Sequence, residues 1–277
     1  MDMSGKTTGA RHAVEFAPRR ESDSLSQTGA SGGHTETVKD LRVLIIVPAL
    51  NEAESLEHLL PELYLKCPQF DFVVVDDGST DRTADVARSL GPRTLLELPF
   101  NLGIGGAVQC GIRYAFEQGY DVCVQCDGDG QHDPAEIESL VSALVEQGAD
   151  LAIGSRFINS GGFRSTFARR VGIAVVSSWI QLFSGRRISD PTSGFRAMSR
   201  RLMKEFSNEY PRQYPEPESI YAALHRGFRV AEHPVRMRVR RGGQSSIRSI
   251  ESALYVVKIC IAIAVDALRR TGNPARK

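Results

Sequence analysis

Leu41-Arg42-Val43-Leu44-Ile45-Ile46-Val47, closed by Pro48, is the stretch that decides the fold. A run this apolar, without alternation, describes a strand covered on both faces, as in a parallel sheet between two helical layers. Working outward, the same grammar repeats. Glu52 to Lys66 reads as a helix, Phe72 to Val75 as a strand, and a short helix passes through Ala84, Val86 and Ala87. Thr94 to Leu98 reads as strand, Gly105 to Gln118 as helix, and Asp121 to Gln125 as strand. Asp133-Pro134 opens a helix reaching Gln147, with Asp at the cap and Pro in the first turn, and Leu151-Ala152-Ile153 is a further strand. Such alternation requires right-handed crossovers, so the expected class is α/β, a mostly parallel sheet with helices on both faces. After Arg156 the rhythm loosens. Phe167 to Phe183 and Glu218 to Arg226 read as helices, Ile188 to Arg196 as turns, and Val230 to Val239 as a half-exposed strand.

The 277 residues are 42% hydrophobic and 24% charged, which excludes collagen-like, disulfide-dense and wholly disordered classes. Five cysteines, an odd number without regular spacing, suit a reducing compartment, and no apolar run follows a basic start, so the expected location is cytoplasmic. The net charge of +1 conceals a division: residues 1–153 carry 11 Lys and Arg against 25 Asp and Glu, whereas residues 154–277 carry 23 against 8. An acidic half suits a divalent cation, and an Arg-rich half suits phosphates or an anionic membrane surface. A metal-bound diphosphate would need both.

Three segments follow. Residues 1–38, rich in Ser, Thr, Gly and charge, read as a disordered tail. Residues 39–248 read as one α/β domain, and residues 249–277 as an amphipathic C-terminal helix. Within Ile250 to Leu268 the polar residues Glu251, Ser252, Lys258 and Asp266 fall on one stripe and leave a wide apolar arc. That helix is expected to lie at the inner face of a membrane; docking on the protein's own core or a homo-oligomer contact are the alternatives.

Ligands of open parallel sheets bind beyond the strand C-termini, and there the acids and glycines gather: Asn51-Glu52, Asp76-Asp77, Asn101-Leu102-Gly103 and Asp127-Gly128-Asp129-Gly130-Gln131. For Asp81 and Asp133 a capping role is the simpler reading. Asp127 and Asp129, spaced by a glycine, can turn both carboxylates to one side, where they repel unless a cation lies between them. Oxygen-only ligands select Mg or Mn, and Gln131 adds a neutral oxygen.

Together with Val47-Pro48-Ala49-Leu50-Asn51-Glu52, Val74-Val75-Asp76-Asp77-Gly78-Ser79, Asn101-x-Gly103-x-Gly105-x-Ala107, Gly154-Ser155-Arg156, Asp190-Pro191-x-Ser193-Gly194-Phe195-Arg196 and Arg240-x-x-Gly243-x-Ser245, that loop resembles the family-2 glycosyltransferases of the GT-A fold, notably the dolichyl- and undecaprenyl-phosphate sugar synthases. The resemblance implies a nucleotide-binding half followed by an acceptor half. It implies a metal-dependent, inverting transfer of a sugar from a nucleoside-diphosphate sugar to a polyprenyl phosphate. Pro48, Leu50, Glu52, Val75, Asp77 and Gly105 would hold the nucleotide sugar with Asp127, Gly128 and Asp129. Asp127, Asp129 and Gln131 would be the metal ligands. Arg156, Arg169 or Arg170, and Arg240 would bind phosphate. Asp190 would be the catalytic acceptor-side carboxylate, accompanied by Ser193, Gly194 and Arg196. Some relatives carry Lys where this chain has Ser246, so Arg241 or Arg248 is a candidate to compensate.

The alternatives are a polysaccharide or cell-wall transferase with a hydroxyl acceptor and, more distantly, a dinucleotide oxidoreductase suggested by Gly103-Ile104-Gly105-Gly106. Cys123 and Cys126 have redox spacing, but three residues apart on a strand they point to opposite faces and read as packing cysteines. Arg236, Arg238 and Arg240 would share one face of an alternating strand, either lining a phosphate crevice or standing at a solvated edge; no nucleic-acid-binding motif accompanies them. A separate membrane protein that completes the enzyme is a further expected partner.

Overall fold

The computed structural model describes residues 38–92, 94–158, 167–238 and 249–271. The tail expected at residues 1–38 therefore lies outside the described residues except for Val38, as do Arg240, Arg241, Gly243, Ser245, Ser246 and Arg248.

The chain alternates as expected: β1 (Val43–Ala49), α1 (Ala53–Lys66), β2 (Asp71–Asp76), α2 (Thr83–Ser89), β3 (Thr94–Glu97), α3 (Ile104–Glu117), β4 (Val122–Gln125), α4 (Ile137–Glu146) and β5 (Leu151–Ser155). Then follow α5 (Phe167–Ser184), β6 (Arg196–Ser199), α6 (Arg200–Asn208), α7 (Pro215–His225), β7 (Val230–Pro234) and α8 (Ser249–Thr271). One seven-stranded sheet runs β3-β2-β1-β4-β6-β5-β7. Only β6 is antiparallel to its neighbours; the other pairs, such as Pro48 beside Val75 and Ile153 beside Glu232, are parallel.

The apolar run of β1 is explained by what it feeds. Leu44 and Ile46 enter one buried layer with Val108 and Ile112 of α3, Leu202 of α6 and Ile259 of α8. Val43, Ile45 and Val47 enter the other with Leu56 and Leu60 of α1 and Leu140 of α4. Each such side chain contributes about 1.5–3 kcal/mol relative to exposure, so neither face can go uncovered. Cys123 and Cys126 also divide between the two layers, as the strand geometry predicts. Burial pushes both thiols well above their ordinary range, which leaves them unreactive packing groups.

Two expectations are corrected. The turn-rich reading of Ile188 to Arg196 stops short of β6, which begins with Arg196, and α6 follows it at once. A four-residue strand opening on a buried guanidinium carries almost no hydrophobic pattern. The strand expected over Val230 to Val239 ends at Pro234, because β7 is the sheet's edge and the chain then leaves the ladder. A single bridge joins Met237 to His132.

Candidate active site

β1 runs outward to β2 on one side and to β4 on the other, so a crevice opens beyond the carboxyl ends of these strands. On the flank formed by the loops after β1 and β2, Asn51 takes a left-handed conformation, φ 54°. Its Oδ1 accepts from Thr80 N at 2.9 Å, and its own N–H donates to Ser79 Oγ at 2.9 Å. Glu52 is held beside it, its N–H donating to Thr83 Oγ1 and its Oε2 accepting from Ser55 Oγ at 2.7 Å. Buried Asp77 accepts from Leu102 N at 2.7 Å, tying the end of β2 to the loop before α3. Burial raises the Asp77 carboxyl's pKa, and the Leu102 and Gly103 N–H groups oppose that rise. Leu50 is 39% exposed at the crevice, whereas the Val75 side chain belongs to the core. Asp81 and Asp133 serve the loops and caps, accepting from Thr83 N and Ala135 N respectively.

The loop after β4 carries the carboxylate pair. Gly128 N donates to Pro48 O at 3.0 Å, pinning this loop to β1, and a Cβ on Gly128 would lie 2.9 Å from that oxygen. Asp127 Oδ1 accepts from Gln125 Nε2 at 2.8 Å, and Asp127 N donates to Nδ1 of His132 at 3.0 Å. His132 is buried and stacked on Phe195, so its role is to shape this loop. Asp129 Oδ1 accepts from Gln131 N at 3.0 Å. Among the described residues no three His, Cys, Asp or Glu side chains converge to hold a metal. Two carboxylates and a neutral amide are hard oxygen donors of the kind that a Mg or Mn ion would accept.

Opposite, Arg156 follows β5 and meets Asp190 in a bidentate pair. Nε donates to Oδ2 and Nη2 to Oδ1, both at 2.6 Å, and Arg156 N donates to Oδ2 at 3.0 Å. Nη2 also donates to Thr192 Oγ1 at 2.8 Å. Asp190 is 0% and Arg156 9% exposed, so this is a buried, charge-assisted fork. Arg169 stands in the field of this pair: desolvation and then the like charge of Arg156 lower its pKa, and Asp190 opposes them. Arg170 is exposed on the same turn of α5.

The turn from Asp190 to Arg196 joins the two flanks. A Cβ on Gly194 would lie 2.8 Å from Asp127 Oδ2, so only glycine lets this turn approach the carboxylate. Ser193 Oγ donates to Gly154 O at 2.6 Å. Arg196 is fully buried, donating to Ser193 O and Ser219 Oγ at 2.7 and 2.6 Å; it braces the turn from beneath. Gly105 packs against backbone, since a Cβ there would lie 2.5 Å from Pro211 O. Arg238 differs from the phosphate-facing reading. It donates to Glu62 Oε2 at 2.5 Å and Asp133 Oδ1 at 2.6 Å, and its N–H donates to Gln131 O. Arg238 thus staples the chain after β7 to α1 and to the carboxylate loop, while Arg236 is exposed.

Two acids at the site escaped the sequence reading. Glu216, in the first turn of α7, feels Asp127, Arg196 and Arg156; burial raises its pKa, with Arg196 the main opposing influence. Glu232 on β7 accepts from Ser189 N and Asp190 N. Neither lies in a loop that follows a strand of the early alternating half, where the acidic signal concentrates.

A mostly parallel sheet with a carboxylate pair beside its central strand, faced by buried arginine, defines a GT-A glycosyltransferase domain. The glycosyl transferase family 2 model matches residues 44–208, more than half of the chain, and the protein belongs to that family. Polyprenol monophosphomannose synthase of Mycolicibacterium smegmatis is 32% identical over 230 residues, spanning 78% of this chain and 85% of its own length. Undecaprenyl-phosphate mannosyltransferase of Micrococcus luteus is 37% identical over 162 residues, 57% of this chain and 66% of its own. In fold, the chain is similar to glucosyl-3-phosphoglycerate synthase from Mycobacterium tuberculosis, solved with Mn2+, UDP and phosphoglyceric acid. The TM-score is 0.63 at 20% identity, over 82% of this chain and 78% of that one.

Proposed function

We propose that this glycosyltransferase moves one hexose from a nucleoside-diphosphate sugar to a polyprenyl phosphate, with inversion and with a divalent cation. The carrying observation is the approach of Gly194 to Asp127, which sets the Arg156–Asp190 pair across from the Asp127–Asp129 pair within one crevice. Leaving diphosphate and attacking phosphate are both anionic, and this arrangement gives each a partner of suitable charge.

The nucleoside rests between Leu50, Glu52 and Asp77, with Pro48 of β1 and Val75 of β2, paired in register, beneath it. Asp127, Asp129 and Gln131 would hold the cation, which would supply positive charge against the diphosphate as it leaves. Arg156, with Arg169 beside it and Arg240 from outside the described residues, grips phosphate oxygens. A general base needs an oxygen facing the acceptor, and both oxygens of Asp190 are on Arg156. Asp190 therefore acts by orienting Arg156. A phosphate acceptor is already ionised and needs no base, which favours this reading. The second reading, a saccharide hydroxyl acceptor, has its own observation: Glu216, near Asp127 and with its pKa raised, is a base within reach of that region.

GDP-mannose is the first donor to test, because relatives at 32% and 37% identity carry mannose in their names. With Mn2+ and an undecaprenyl or dolichyl phosphate, radiolabelled sugar is expected in the organic phase. Label entering only soluble oligosaccharide, with Glu216→Gln abolishing it, would replace this reading by the second.

The acceptor implies a lipid surface. α8 turns Ile259 and Ile263 into the core, and Trp179 Nε1 on α5 donates to Cys260 O at 2.7 Å. Its outer side is also apolar: Leu254, Val257, Ile261, Val265 and Leu268 are 39–72% exposed. At 100° per residue they fall within an arc of about 80°. Val171, Val175 and Leu182 of the adjoining α5 are exposed as well. Among the described residues no helix is long and apolar enough to cross a membrane. We assign this two-helix face to peripheral contact with the inner leaflet. Co-sedimentation with anionic vesicles is expected and should fall several-fold in Val257→Asp/Ile261→Asp. Unchanged sedimentation, or a change in mass by light scattering instead, would give the face to a protein partner or a second copy.

A further inference from the structure

We infer that Glu232 is a positioning residue for Arg156, acting through the backbone N–H groups of Ser189 and Asp190. The inference rests on the reading that Arg156 grips a phosphate, and it concerns how that guanidinium is aimed.

Glu232 sits on edge strand β7 in register with Ile153 of β5, three residues before Arg156. Its two oxygens both accept from Ser189 N at 2.9 Å, and Oε1 also accepts from Asp190 N at 3.0 Å. The carboxylate thus grips the peptide from which the Asp190 side chain springs. From the other side the Arg156 fork holds the end of that side chain, with Arg156 N as a third donor. Asp190 is fastened at backbone and carboxylate, and the guanidinium plane of Arg156 is fixed by the carboxylate it meets.

The choice of residue supports a positioning task. Satisfying two backbone donors requires only a neutral oxygen. A carboxylate near the buried Asp190 adds like charge, which Arg156 and Arg169 must offset, yet its charge-assisted bonds are roughly twice as strong as neutral ones. Both Glu232 oxygens are committed to the backbone, so the residue has no part in the chemistry itself. Its reach carries the effect: the side chain spans from the sheet edge to the turn, and a chain shorter by one methylene falls about 1.5 Å short, far outside hydrogen-bond range.

The test separates reach from charge. Arg156 Nε–H, donating across 2.6 Å to a carboxylate, should give a resolved, slowly exchanging side-chain resonance in a 15N spectrum of the full chain, assigned by its loss in Arg156→Lys. In Glu232→Gln, which keeps the reach, the resonance is expected to persist and kcat to fall less than about 3-fold. In Glu232→Ala and Glu232→Asp, which lose the reach, it is expected to broaden or move upfield. There kcat/KM for the lipid phosphate should fall about 10- to 100-fold, as for a small misplacement of a positioning group, with the donor KM unchanged. Glu232→Asp keeps the charge and tests the inference even where Glu232→Ala does not fold. Loss of the signal in Glu232→Gln with retention in Glu232→Asp would overturn positioning in favour of a purely electrostatic role. An unchanged signal in both shortened variants would overturn the inference outright. A lost signal with unaltered kinetics would instead sustain the positioning and refute the phosphate-gripping role of Arg156.

Discussion

Asp129→Ala is expected to lower kcat/KM by about 10³-fold or more, the scale at which removal of a preorganised charge-stabilising group acts. Asp129 offers its carboxylate from a loop that Gly128 pins to Pro48 O, so the fold should tolerate its loss. The accompanying measurement is a thermal-shift panel of UDP-, GDP- and dTDP-sugars with Mn2+. Ligand at 100 times its Kd stabilises the native state by about 2.7 kcal/mol. One nucleotide should raise the melting temperature only with metal, and Asp129→Ala should abolish that increment. Gly194→Ala should reproduce part of the defect without removing a charge, because its methyl would lie 2.8 Å from Asp127 Oδ2 and push that oxygen aside. Full metal-dependent stabilisation in Asp129→Ala would remove this carboxylate from the cation site.

Arg156→Met is expected to cost stability as well as activity. It leaves the 0%-exposed Asp190 carboxylate without its cation, and breaking a buried ion pair by deleting one partner costs about 3–5 kcal/mol. Urea unfolding should show the midpoint falling with little change in slope. Arg156→Met/Asp190→Asn should recover much of that loss, since the remaining group is neutral and keeps its backbone support from Glu232, while transfer stays abolished. Arg156→Lys should not rescue, because an ammonium cannot make the paired contacts to Oδ1 and Oδ2. A single variant as stable as the parent would mean that water reaches Asp190 readily and that the pair does not hold the turn.

Legibility differs between the two halves for a physical reason. In residues 41 to 155 the strands β1, β2, β4 and β5 are buried and mostly apolar, and acids or amides follow β1, β2 and β4, because a parallel strand covered on both faces leaves its polar residues to the loops. Chain direction and periodicity are therefore enough to gather the acids that follow β1, β2 and β4 at one crevice. Beyond Arg156 the chain builds the opposite wall of the crevice from buried polar groups. Arg196, which the resemblance puts on the acceptor side with Asp190, is among the most deeply buried side chains, and nothing in its sequence neighbourhood signals that burial. Arg238 looks like a third member of an arginine stripe and instead bridges Glu62 and Asp133, from helix and loop far away in sequence. Glu232 lies between Ala231 and His233 in an ordinary short strand, and its partners are 42 and 43 positions earlier.

Up to Ser155, local order thus determined which residues form strands and helices, that this part of the sheet is parallel, and that Asp127 and Asp129 sit at a strand end. These follow from periodicity and chain direction, properties carried by neighbours in sequence. Tertiary structure alone decided that β6 inserts antiparallel between β4 and β5, which carries the Gly194 turn to Asp127. It alone paired Arg156 with Asp190 and set Glu232 behind them. Strand order and burial are settled by the packing of whole layers, and a charge buried against its partner leaves no periodic trace in the chain that carries it.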